Sequence, residues 1–571
     1  MDLMQLEQEL KKNGEIVVDK LQEYAEQAGE KNFFYYGEED RYVTFSEFNK
    51  LTNSIAHSLQ SMGVKKGDRI SLFLMNPLIT SLAMFGIWKA GAIFCPINFN
   101  YKGRLLSYQI NDTKPKLLIT ESGRELEINS IKEEIEGIPV FVHEPKEGDH
   151  DYVAANTGLS LDRKFRCFRF EDLLQGETAD LKTDIEYKDT ASIIYTSGTT
   201  GPAKGVVQSF RWLQNYCFYF IKFQHPDDVI YNDLPLYHVG GAFANVARAA
   251  WSGCMVAVWD RFSPNDFWQR IEKIGATSAT LLDIMMPWLL IPEETPKDKY
   301  NTLKHVHMQP LPEYHHQFAK RFGIDLVTSG YGQTESGAGF VGIIDEFGDE
   351  EGTPKELYKG LSKEEFKRRA QDLGLSIISG DAEIKKGYMG NVSILLEAAI
   401  LNENDRILGP NEHGQLAFRS RLPFFLFNEY FNKPEATAET YRNQWLHTGD
   451  AAYRDTDGIY YFVDRMGGFI RTRGENISSY QIEDIINSHP KVSVCAVFPV
   501  PAAEGLEDDC VVYITVIPGE KLEEKEIREW IQSEMPKFMW PKHIRFVDVM
   551  PQTPTYKIEK YKLKKLFLSE P

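Results

Sequence analysis

Apolar and polar positions along the first half of the chain follow two periods that alternate. Segments with apolar residues three and four positions apart predict helices, and short apolar runs between turn residues predict buried strands. This alternation predicts mostly parallel sheets covered by helices, arranged in two lobes. The predicted helices are Asn49–Leu59, Ile79–Lys89, Phe210–Phe223 and Asp266–Ile274. The predicted strands are Arg69–Leu74, Ile93–Pro96, Leu117–Thr120, Ala191–Tyr195, Met255–Trp259 and Thr277–Leu282.

The pattern becomes more compact after Asp464. Five shorter segments predict a separate α+β module of about 100 residues, a usual domain size. In chain order they are helix Tyr480–His489, strands Val494–Val500 and Cys510–Val516, helix Glu523–Met535 and strand His543–Val547. Because a single hydrophobic core stops growing near about 250–300 residues, a chain of 571 residues needs more than one domain. We therefore predict a large N-terminal α/β domain over residues 1–464 and a small C-terminal domain over residues 465–571.

One internal segment, Asp345–Lys386, lacks this apolar pattern. It is polar, carries the acidic run Asp349–Glu351, and contains a helix-like stretch, Lys363–Leu373. Long connections of this kind run over the surface and often carry specificity or partner contacts. The sequence predicts a surface excursion here and leaves its role open.

The charge balance limits the ligands of the protein. With 64 Lys and Arg against 83 Asp and Glu, the net charge is −19, and such a field repels nucleic acid and anionic membranes. It also repels nucleotides, so a nucleotide site requires a local group of Lys, Arg and backbone N–H groups.

No apolar stretch approaches the roughly 20 residues of a membrane span, and the N-terminus lacks a secretory signal. Six scattered cysteines without a C-x-x-C pair favour neither disulfides nor zinc, so we expect a cytoplasmic protein.

The segment with the clearest chemistry runs from Tyr195 to Gly205, directly after a predicted strand and before a predicted helix. Its three glycines let backbone N–H groups turn toward a ligand, four Ser and Thr hydroxyls add donors, and Lys204 supplies a positive charge. Ligands of open α/β sheets bind at such strand ends. A flexible surface loop is the alternative, but it seldom occupies this position. The segment therefore predicts a phosphate-binding loop.

With the segments that follow, this loop resembles the phosphate loop of adenylate-forming enzymes, which include acyl-CoA synthetases, adenylation domains of peptide synthetases and beetle luciferase. The matches keep the order and approximate spacing of that family from Phe45 to Leu563. The resemblance implies ATP, CoA and a carboxylic acid as substrates, Mg²⁺ as cofactor, a small β subdomain, and a mobile C-terminal lid. From the loop it assigns to ATP binding Thr196, Ser197, Gly198, Thr199, Thr200, Gly201 and Lys204, with Thr200 also at the metal.

A second matching segment runs from Tyr331 to Glu335, after the predicted strand Leu326–Ser329. The resemblance assigns Tyr331 and Gly332 to nucleotide binding, with the tyrosine ring stacked on adenine. It assigns Thr334 to the α-phosphate and Glu335 to Mg²⁺. An aromatic face, a hydroxyl and a carboxylate suit these partners. Without the other segments, a turn with a capping threonine would explain this one equally well.

A third group of matches follows in the second half of the chain. Asp450 ends the segment Trp445–Asp450, and the resemblance assigns its carboxylate to both ribose hydroxyls. A carboxylate has two acceptor oxygens, which suits a vicinal diol. Arg465 resembles the residue that contacts ribose and phosphate, although a surface ion pair with Asp464 would be worth little. Gly474 resembles the residue whose backbone lies along the pantetheine arm of CoA.

Near the C-terminus, Pro551–Ile558 resembles the segment that delivers a lysine to the reacting groups, and its register selects Lys557. Such a cation offsets the repulsion between the attacking carboxylate and the α-phosphate. Neighbouring lysines make a solvated basic tail the alternative. His238 resembles the histidine that lines the acyl pocket, although a lone histidine is more often structural. The predicted catalytic residues are thus Lys557, Glu335, Thr334 and His238.

Two departures from the family pattern affect the site. His307–Leu311 stands where most of the family has a glycine-rich segment beside adenine, so no adenine-edge contacts are assigned there. Tyr556 stands where glycine usually precedes the catalytic lysine. The first departure, with Pro96–Asn98 and the run after Glu429, resembles the crotonobetaine/carnitine–CoA ligase branch more than long-chain fatty-acid ligases.

The resemblance implies an AMP-forming acid–CoA ligase that makes an acyl-adenylate and transfers the acyl group to CoA, with a small carnitine-like acid as a candidate substrate. The family serves two nucleophiles at one site by rotating the lid about one residue, here Gly467, and glycine readily absorbs such a change. Transfer to a carrier protein or another acceptor, and a nucleotide-binding protein that has lost catalysis, are the open alternatives. We expect no nucleic-acid partner, and a homodimer stays open.

Overall fold

The protein is described from a computed structural model. The described residues are 2–146, 148, 150, 160–182, 184–196, 203–282, 285–385, 387–465, 469–472, 475–502, 507–551, 558 and 560–569.

The α-helices cover both parts of the chain. They are α1 (Leu3–Asn13), α2 (Val17–Gln27), α3 (Phe45–Ser61), α4 (Pro77–Lys89), α5 (Gly103–Thr113), α6 (Glu125–Ser130), α7 (Phe210–Lys222), α8 (Arg248–Ser252), α9 (Phe267–Ile274), α10 (Met285–Leu290), α11 (His315–Phe322), α12 (Lys363–Asp372), α13 (Pro434–Thr440), α14 (Ser479–Asn487), α15 (Glu524–Glu534) and α16 (Lys560–Ser569). A π-helix, Gly240–Ala247, runs directly into α8.

The strands between them are mostly short. They are β1 (Asn32–Tyr36), β2 (Arg41–Thr44), β3 (Arg69–Phe73), β4 (Ile93–Pro96), β5 (Leu117–Glu121), β6 (Pro139–His143), β7 (Arg166–Arg169), β8 (Thr190–Thr196), β9 (Lys204–Ser209), β10 (Val229–Asn232), β11 (Met255–Val258), β12 (Ser278–Leu282), β13 (His305–Gln309), β14 (Leu326–Gln333), β15 (Gly337–Asp345), β16 (Ile377–Ser379), β17 (Tyr388–Val392), β18 (Leu396–Leu401), β19 (Gly414–Ser420), β20 (Glu429–Tyr430), β21 (Leu446–Arg454), β22 (Tyr460–Arg465), β23 (Phe469–Thr472), β24 (Glu475–Ser478), β25 (Val492–Pro501), β26 (Asp508–Val516) and β27 (His543–Phe546).

The helices and strands predicted from periodicity are all present, with ends that differ by a few residues. Side-chain caps explain where two of the helices begin. The Asn76 side chain accepts a hydrogen bond from Ile79 N at 3.1 Å, just before Pro77 opens α4. Ser209 Oγ accepts one from Trp212 N at 3.1 Å at the start of α7. Both caps satisfy N–H groups that a helix start leaves without a partner.

Two large sheets form the N-terminal part. Within the described residues, one sheet has eight strands in the order β20-β9-β8-β4-β3-β5-β6-β7, parallel from β8 to β7. The other has fourteen and follows β18-β19-β21-β22-β17-β15-β14-β13-β12-β10-β11-β1-β2, with β16 beside β15. It is parallel from β14 through β13, β12, β10 and β11 to β1, and antiparallel from β15 to β18. The predicted α/β fold, with helix-covered sheets in two lobes and an added β region, is confirmed.

The C-terminal part forms a smaller α+β unit. Strands β25, β26 and β27 make a separate sheet, which α14 and α15 cover with an apolar core that includes Ile482, Val497 and Ile527. The hairpin β23–β24 packs against this sheet. Arg104 of α5 and Asp484 of α14 approach to 3.3 Å between the two parts. The predicted small C-terminal module is present, and its boundary between residues 464 and 465 stays a prediction.

The segment Asp345–Lys386 differs from the prediction in one respect. It was expected to run over the surface, but its helix α12 places Phe366 in the core, only 2% exposed. The Phe366 ring stacks on Phe223 with 4.2 Å between centroids and meets His305 edge-on at 5.2 Å. Because the segment is polar overall, its sequence did not indicate that α12 has an apolar face. Through Phe366 this face packs against the end of α7 and against β13.

All six cysteines are free thiols, and all but Cys167 are buried. In the part of the chain that the structure describes, no helix is long and apolar enough to cross a membrane.

Candidate active site

One large cavity is lined by residues of both sheets and of the C-terminal part. Its volume is about 2010 Å³, well above the roughly 300–1,000 Å³ of most small-molecule sites. The predicted residues Thr196, Lys204, Glu335 and Asp450 line it together. A cavity of this size has room for a nucleotide and a second substrate at the same time.

Glu335 connects the predicted phosphate loop to the second motif. Its Oε1 accepts hydrogen bonds from Tyr430 OH at 2.9 Å and from Thr196 Oγ1 at 3.5 Å. Lys204 Nζ lies 4.7 Å from the Tyr430 ring centroid. Burial, and then the charge of Glu335, raise the pKa of Tyr430, so the phenol stays protonated as a donor. Tyr430 thus contacts both Lys204 and Glu335, and Glu335 also accepts from the Thr196 hydroxyl.

The strand pair β8–β9 explains why Thr196 and Lys204 meet. The two residues are register partners at the open end of this antiparallel pair. Tyr195 OH donates a 2.6 Å hydrogen bond to Asp112 Oδ2 of α5, which fixes the end of β8 against the neighbouring helix. Both sides of the predicted loop are therefore anchored at the cavity, as ligand-binding strand ends usually are.

Asp450 is buried, with 2% exposure, and is oriented by the second motif. Tyr331 OH donates to its Oδ2 at 2.6 Å, and Gln333 Nε2 donates to the same oxygen at 2.8 Å. The Asp450 N–H donates to Thr448 Oγ1 at 3.1 Å. Tyr331 and Gln333 thus fix the orientation of the Asp450 carboxylate at the cavity wall.

The second motif lies on a strand for most of its length, whereas the predicted strand ended at Ser329. Strand β14 continues to Gln333 and pairs antiparallel with β15. Glycine permits this close pairing, because a Cβ at Gly330 would lie 2.3 Å from Phe340 O and one at Gly332 would lie 2.6 Å from a backbone oxygen of β15. The strand brings Gly332 to the cavity wall together with Thr334, whose carbonyl oxygen accepts a 2.9 Å hydrogen bond from Gln208 Nε2.

His238 lies on the cavity wall just before the π-helix Gly240–Ala247. Its side chain is exposed, and its ring centroid lies 4.4 Å from that of Tyr237. Its carbonyl oxygen accepts a 3.1 Å hydrogen bond from Ala242 N, at the start of the wide helix. π-helical turns are rare and frequent at functional sites. The position agrees with a wall of the acyl pocket, and the catalytic role of His238 stays a prediction.

The segment that departs from the family pattern, His307–Leu311, also reaches the cavity. Its first residues end β13, and His305, His307 and Gln309 all line the wall. Thr328 of the neighbouring strand β14 lies beside the two histidines. This stretch gives the cavity a polar wall that the sequence did not assign.

The hairpin β23–β24 of the C-terminal part also lines the cavity. Arg471 and Ile477 come from the hairpin, and Gln481 from α14. The Arg471 N–H donates a 2.9 Å hydrogen bond to Asp508 Oδ2, which joins the hairpin to β26. These side chains flank the segment that the resemblance assigns to the pantetheine arm.

Several predicted site residues lie outside the described residues. They are Ser197, Gly198, Thr199, Thr200, Gly201, Gly467, Gly474, Tyr556 and Lys557. Arg465 is described by its backbone, which is the register partner of Asp450 in the β21–β22 pair. The roles assigned to these residues stay predictions.

The predicted magnesium site can be tested at Glu335. Its carboxylate and the Thr196 hydroxyl present oxygen donors at one point of the cavity. Mg²⁺ is usually bound through one or two carboxylates together with substrate phosphates. Among the described residues, no group of three or more His, Cys, Asp and Glu side chains is arranged as a metal site. The Glu335 carboxylate and the Thr196 hydroxyl therefore fit a Mg²⁺ ion that is also bound by the phosphates of a nucleotide.

Comparisons with known proteins agree with this geometry. The AMP-binding enzyme family matches residues 21–431, and the AMP-binding enzyme C-terminal domain matches residues 481–557. A crotonobetaine/carnitine–CoA ligase of Salmonella heidelberg (strain SL476) is 29% identical over 531 residues, which cover 92% of this chain and 93% of that protein.

Two solved structures share the fold. A double mutant of o-succinylbenzoate CoA synthetase from Bacillus subtilis, bound with a product analogue, has a TM-score of 0.74 at 21% identity and covers 95% of this chain and 97% of its own. The amide bond synthetase McbA from Marinactinospora thermotolerans has a TM-score of 0.70 at 19% identity, covering 97% and 99%.

The chain belongs to the AMP-binding enzyme family, as its motifs predicted. Within that family it is a ligase of the acyl-CoA synthetase class.

Two residues of the site were missed by reasoning from the sequence. Tyr430 belongs to the run after Glu429 and received no role in the site, yet it contacts both Lys204 and Glu335. Gln333 received no role, yet it donates to Asp450. Both residues belong to segments that match the family pattern, and this match was the sequence signal that could have identified them. Their partners lie about a hundred or more residues away, which no local pattern reports.

Proposed function

We propose that the protein activates a carboxylic acid with ATP and transfers the acyl group to CoA. In the first step the acid carboxylate attacks the α-phosphate of ATP, which gives acyl-AMP and pyrophosphate. In the second step the CoA thiolate attacks the acyl carbon, and AMP leaves. The observation that carries the proposal is that Lys204, Glu335, Tyr331 and Asp450, distant along the chain, line one cavity.

The nucleoside belongs at Tyr331 and Asp450. The Asp450 carboxylate is already oriented by Tyr331 and Gln333. The two oxygens of this carboxylate suit the two ribose hydroxyls, and the tyrosine ring offers a face to adenine. Because these groups are held in place before binding, little ordering free energy is lost when the nucleotide binds.

The phosphates belong at Thr196, Lys204 and the loop between them. Thr334 would contact the α-phosphate, and Lys557 would lie between that phosphate and the attacking carboxylate, where a cation offsets their repulsion. Glu335, with Thr200, would hold Mg²⁺, which neutralises phosphate charge when bound. Tyr430 keeps the Glu335 carboxylate oriented through its 2.9 Å hydrogen bond.

The acceptor thiol belongs on the side of the hairpin β23–β24. Arg471 and Ile477 line the cavity there, and Gly474 would follow the pantetheine arm. We propose that this arrangement of the lid serves the second step. Rotation about Gly467 would then bring Lys557 to the cavity for the first step.

The acid is proposed to be small and polar, with carnitine-like acids as candidates. The likeness to the crotonobetaine/carnitine–CoA ligase of Salmonella supports this choice. The polar wall formed by His305, His307 and Thr328 also suits a polar acid better than a long alkyl chain. The proposal also includes Mg²⁺ as the cofactor, assembly as a homodimer and a location in the cytoplasm.

The proposal is tested by acid-dependent exchange of pyrophosphate into ATP, followed by product analysis with CoA. We expect exchange that requires both an acid and Mg²⁺, and an acyl-CoA product when CoA is added. Lys557→Ala serves as the matched control and should abolish exchange while leaving the fold intact by circular dichroism. Absence of exchange with every acid of a broad panel would overturn the proposal.

The alternatives predict other outcomes in the same experiment. An adenylating enzyme with a carrier protein or an amine as acceptor would show exchange but no acyl-CoA, and the amide bond synthetase shares this fold. A nucleotide-binding protein without catalysis would bind ATP and show no exchange. Mass spectrometry of products formed with CoA, and with hydroxylamine as a general acceptor, separates these cases.

A further inference from the structure

Arg248 is a buried arginine behind the cavity wall, and among the described residues it forms no ion pair with a carboxylate. We propose that Arg248 selects an acid with a second anionic group, most simply another carboxylate, at the end remote from the reacting carboxyl. The inference rests on the proposed ligase function and names the class of acid it would take.

The environment of Arg248 is unusual for a buried charge. It opens α8 directly after the π-helix and is only 2% exposed. Its Nη2 donates a 3.3 Å hydrogen bond to Asn245 Oδ1, a neutral amide, and its Nε has no hydrogen-bond partner among the described residues. Asp228 attracts it from beyond ion-pair distance and is itself paired with Lys304 Nζ at 3.0 Å. Burial lowers the pKa of Arg248 to about 10.

Two other buried cations pair with carboxylates, whereas the buried Lys89, which donates to oxygens of Asn49 and Asn53, has its pKa lowered to about 7 by burial. Arg211 of α7 is 1% exposed and pairs with the carboxylate of Glu15. Lys363 is 7% exposed and lies 2.9 Å from Asp345 Oδ1. Buried charges are normally paired, because an unpaired one loses its hydration without compensation. The structure therefore points to an anion that is not part of the described chain.

Arg248 lies one side chain behind the cavity wall. Its guanidinium carbon is 5.0 Å from the ring centroid of Phe220, which lines the cavity. Asn245 Oδ1, which accepts from Arg248, lies 3.5 Å from Thr280 Oγ1, and Thr280 also lines the cavity. The Phe220 ring and the Asn245 amide therefore lie between the guanidinium and the cavity.

Two histidines of β13 complete this wall. His305 Nε2 lies 2.9 Å and His307 Nδ1 lies 3.2 Å from Thr328 Oγ1. Burial, and then the charge of Arg248, lower the pKa of His307 to about 4 and the pKa of His305 in the same direction. Both rings are neutral near pH 7, and a neutral imidazole donates one hydrogen bond. The wall thus combines neutral donors with one fixed positive charge, which suits an anion.

A cationic far group fits this wall less well. A trimethylammonium group has no N–H to donate and would lie near an uncompensated guanidinium, where like charges repel. Asp233 is a buried carboxyl on the cavity wall; burial raises its pKa to about 6, and the charge of Arg270 acts in the opposite direction. The sign of the charge at the acyl end therefore distinguishes a dicarboxylic acid from a carnitine-like acid.

The experiment compares acids of matched length in acid-dependent pyrophosphate exchange. Malonate, succinate, glutarate and adipate are paired with propionate, butyrate, pentanoate and hexanoate, and carnitine, crotonobetaine and butyrobetaine form a third group. In the pair whose chain length gives the highest kcat/KM, we expect the dicarboxylate to exceed its monocarboxylate partner at least about tenfold in kcat/KM. Hydrogen bonds to charged groups are stronger than those between neutral groups. Equal or higher kcat/KM with the monocarboxylate, or with the cationic acids, would overturn the inference.

Variants of Arg248 test the assignment to this residue. Arg248→Met should lower kcat/KM for the dicarboxylate at least about tenfold, mainly through KM, and change the value for its monocarboxylate partner less than about threefold. Arg248→Lys should keep part of the preference because it keeps the charge. Arg211→Met, a matched loss of a buried guanidinium elsewhere, should lower stability and leave the acid preference unchanged. An unaltered preference in Arg248→Met would overturn the role of this residue.

Failure of the inference is distinguishable from failure of the proposed function. If monocarboxylic or cationic acids support exchange best, the ligase function stands and the anion site does not. If no acid of any group supports exchange, the ligase function fails and the inference with it. The preference of the unmodified protein decides the question even where a variant is unstable.

Discussion

The phenol of Tyr331 donates a 2.6 Å hydrogen bond to Asp450 Oδ2. The tyrosine lies on β14 and the aspartate on β21, which are separated in the fourteen-stranded sheet by other strands. This bond joins the second and third motifs into one nucleoside site. Because Tyr331 and Gln333 both donate to Asp450, the carboxylate is oriented at the cavity wall before a ligand binds.

Asp450→Ala should weaken ATP binding more than it slows the chemical step. The variant removes the acceptor of two ribose hydroxyls, and hydrogen bonds to charged groups are worth about 1.5–3 kcal/mol each. We expect KM for ATP in pyrophosphate exchange to rise at least about 100-fold, with a smaller change in kcat. Tyr331→Phe keeps the ring and loses the 2.6 Å hydrogen bond, so its effect should be smaller. A larger effect of Tyr331→Phe would contradict the ribose role.

Glu335→Gln should lower kcat of pyrophosphate exchange by about 100-fold or more and raise the Mg²⁺ concentration needed for half-maximal rate. The amide keeps the shape of the side chain but loses the charge that would hold a hard cation. A Mg²⁺ titration of the exchange rate measures both effects. Tyr430→Phe removes one 2.9 Å hydrogen bond to the same carboxylate and should cost about tenfold or less. An unchanged Mg²⁺ dependence in Glu335→Gln would exclude it as the metal ligand.

Gly467→Pro should separate the two half-reactions. Proline fixes φ near about −65° and cannot absorb the rotation that a hinge requires, so pyrophosphate exchange should persist while acyl-CoA formation is lost. Lys557→Ala should give the opposite result, with exchange lost and acyl transfer from supplied acyl-AMP retained. Single-turnover assays of each half-reaction measure both. Equal loss of both half-reactions in Gly467→Pro would refute the hinge assignment.

His307 should make the protein less stable in mild acid. Its pKa is lowered from the ordinary 6.5 to about 4 by burial and by Arg248. Between these values the unfolded chain binds a proton that the folded imidazole does not bind, so the stability contribution is complete above pH 6.5 and falls as the pH falls toward 4. From pH 7 to pH 5 this amounts to about 2 kcal/mol.

Urea denaturation at pH 7 and pH 5 checks the prediction, with His307→Gln as the comparison. The variant has no imidazole at this position, so its loss of stability between the two pH values should be smaller by about 2 kcal/mol. An identical pH dependence of the two proteins would show that the folded imidazole is protonated as readily as in the unfolded chain.

Some features of the site could be predicted because they depend on residues close together in sequence. The loop from Tyr195 to Gly205 and the motif from Tyr331 to Glu335 carry their donors and acceptors in adjacent positions. The extension of β14 through the motif was not predicted, because it depends on pairing with β15. The packing of Phe366 on Phe223 was hidden for the same reason, since the composition of its segment is polar.

The sequence by itself determined the order of helices and strands, the presence of a smaller C-terminal unit and the adenylate-forming family, and it predicted the site residues. Periodicity and motifs are local, and the chain carries them before it folds. Only the tertiary structure decided that Tyr430 joins Lys204 to Glu335, and that Arg248 is buried with no carboxylate paired to it among the described residues. Those facts depend on which distant side chains meet and on which charges lose water, and packing alone sets both.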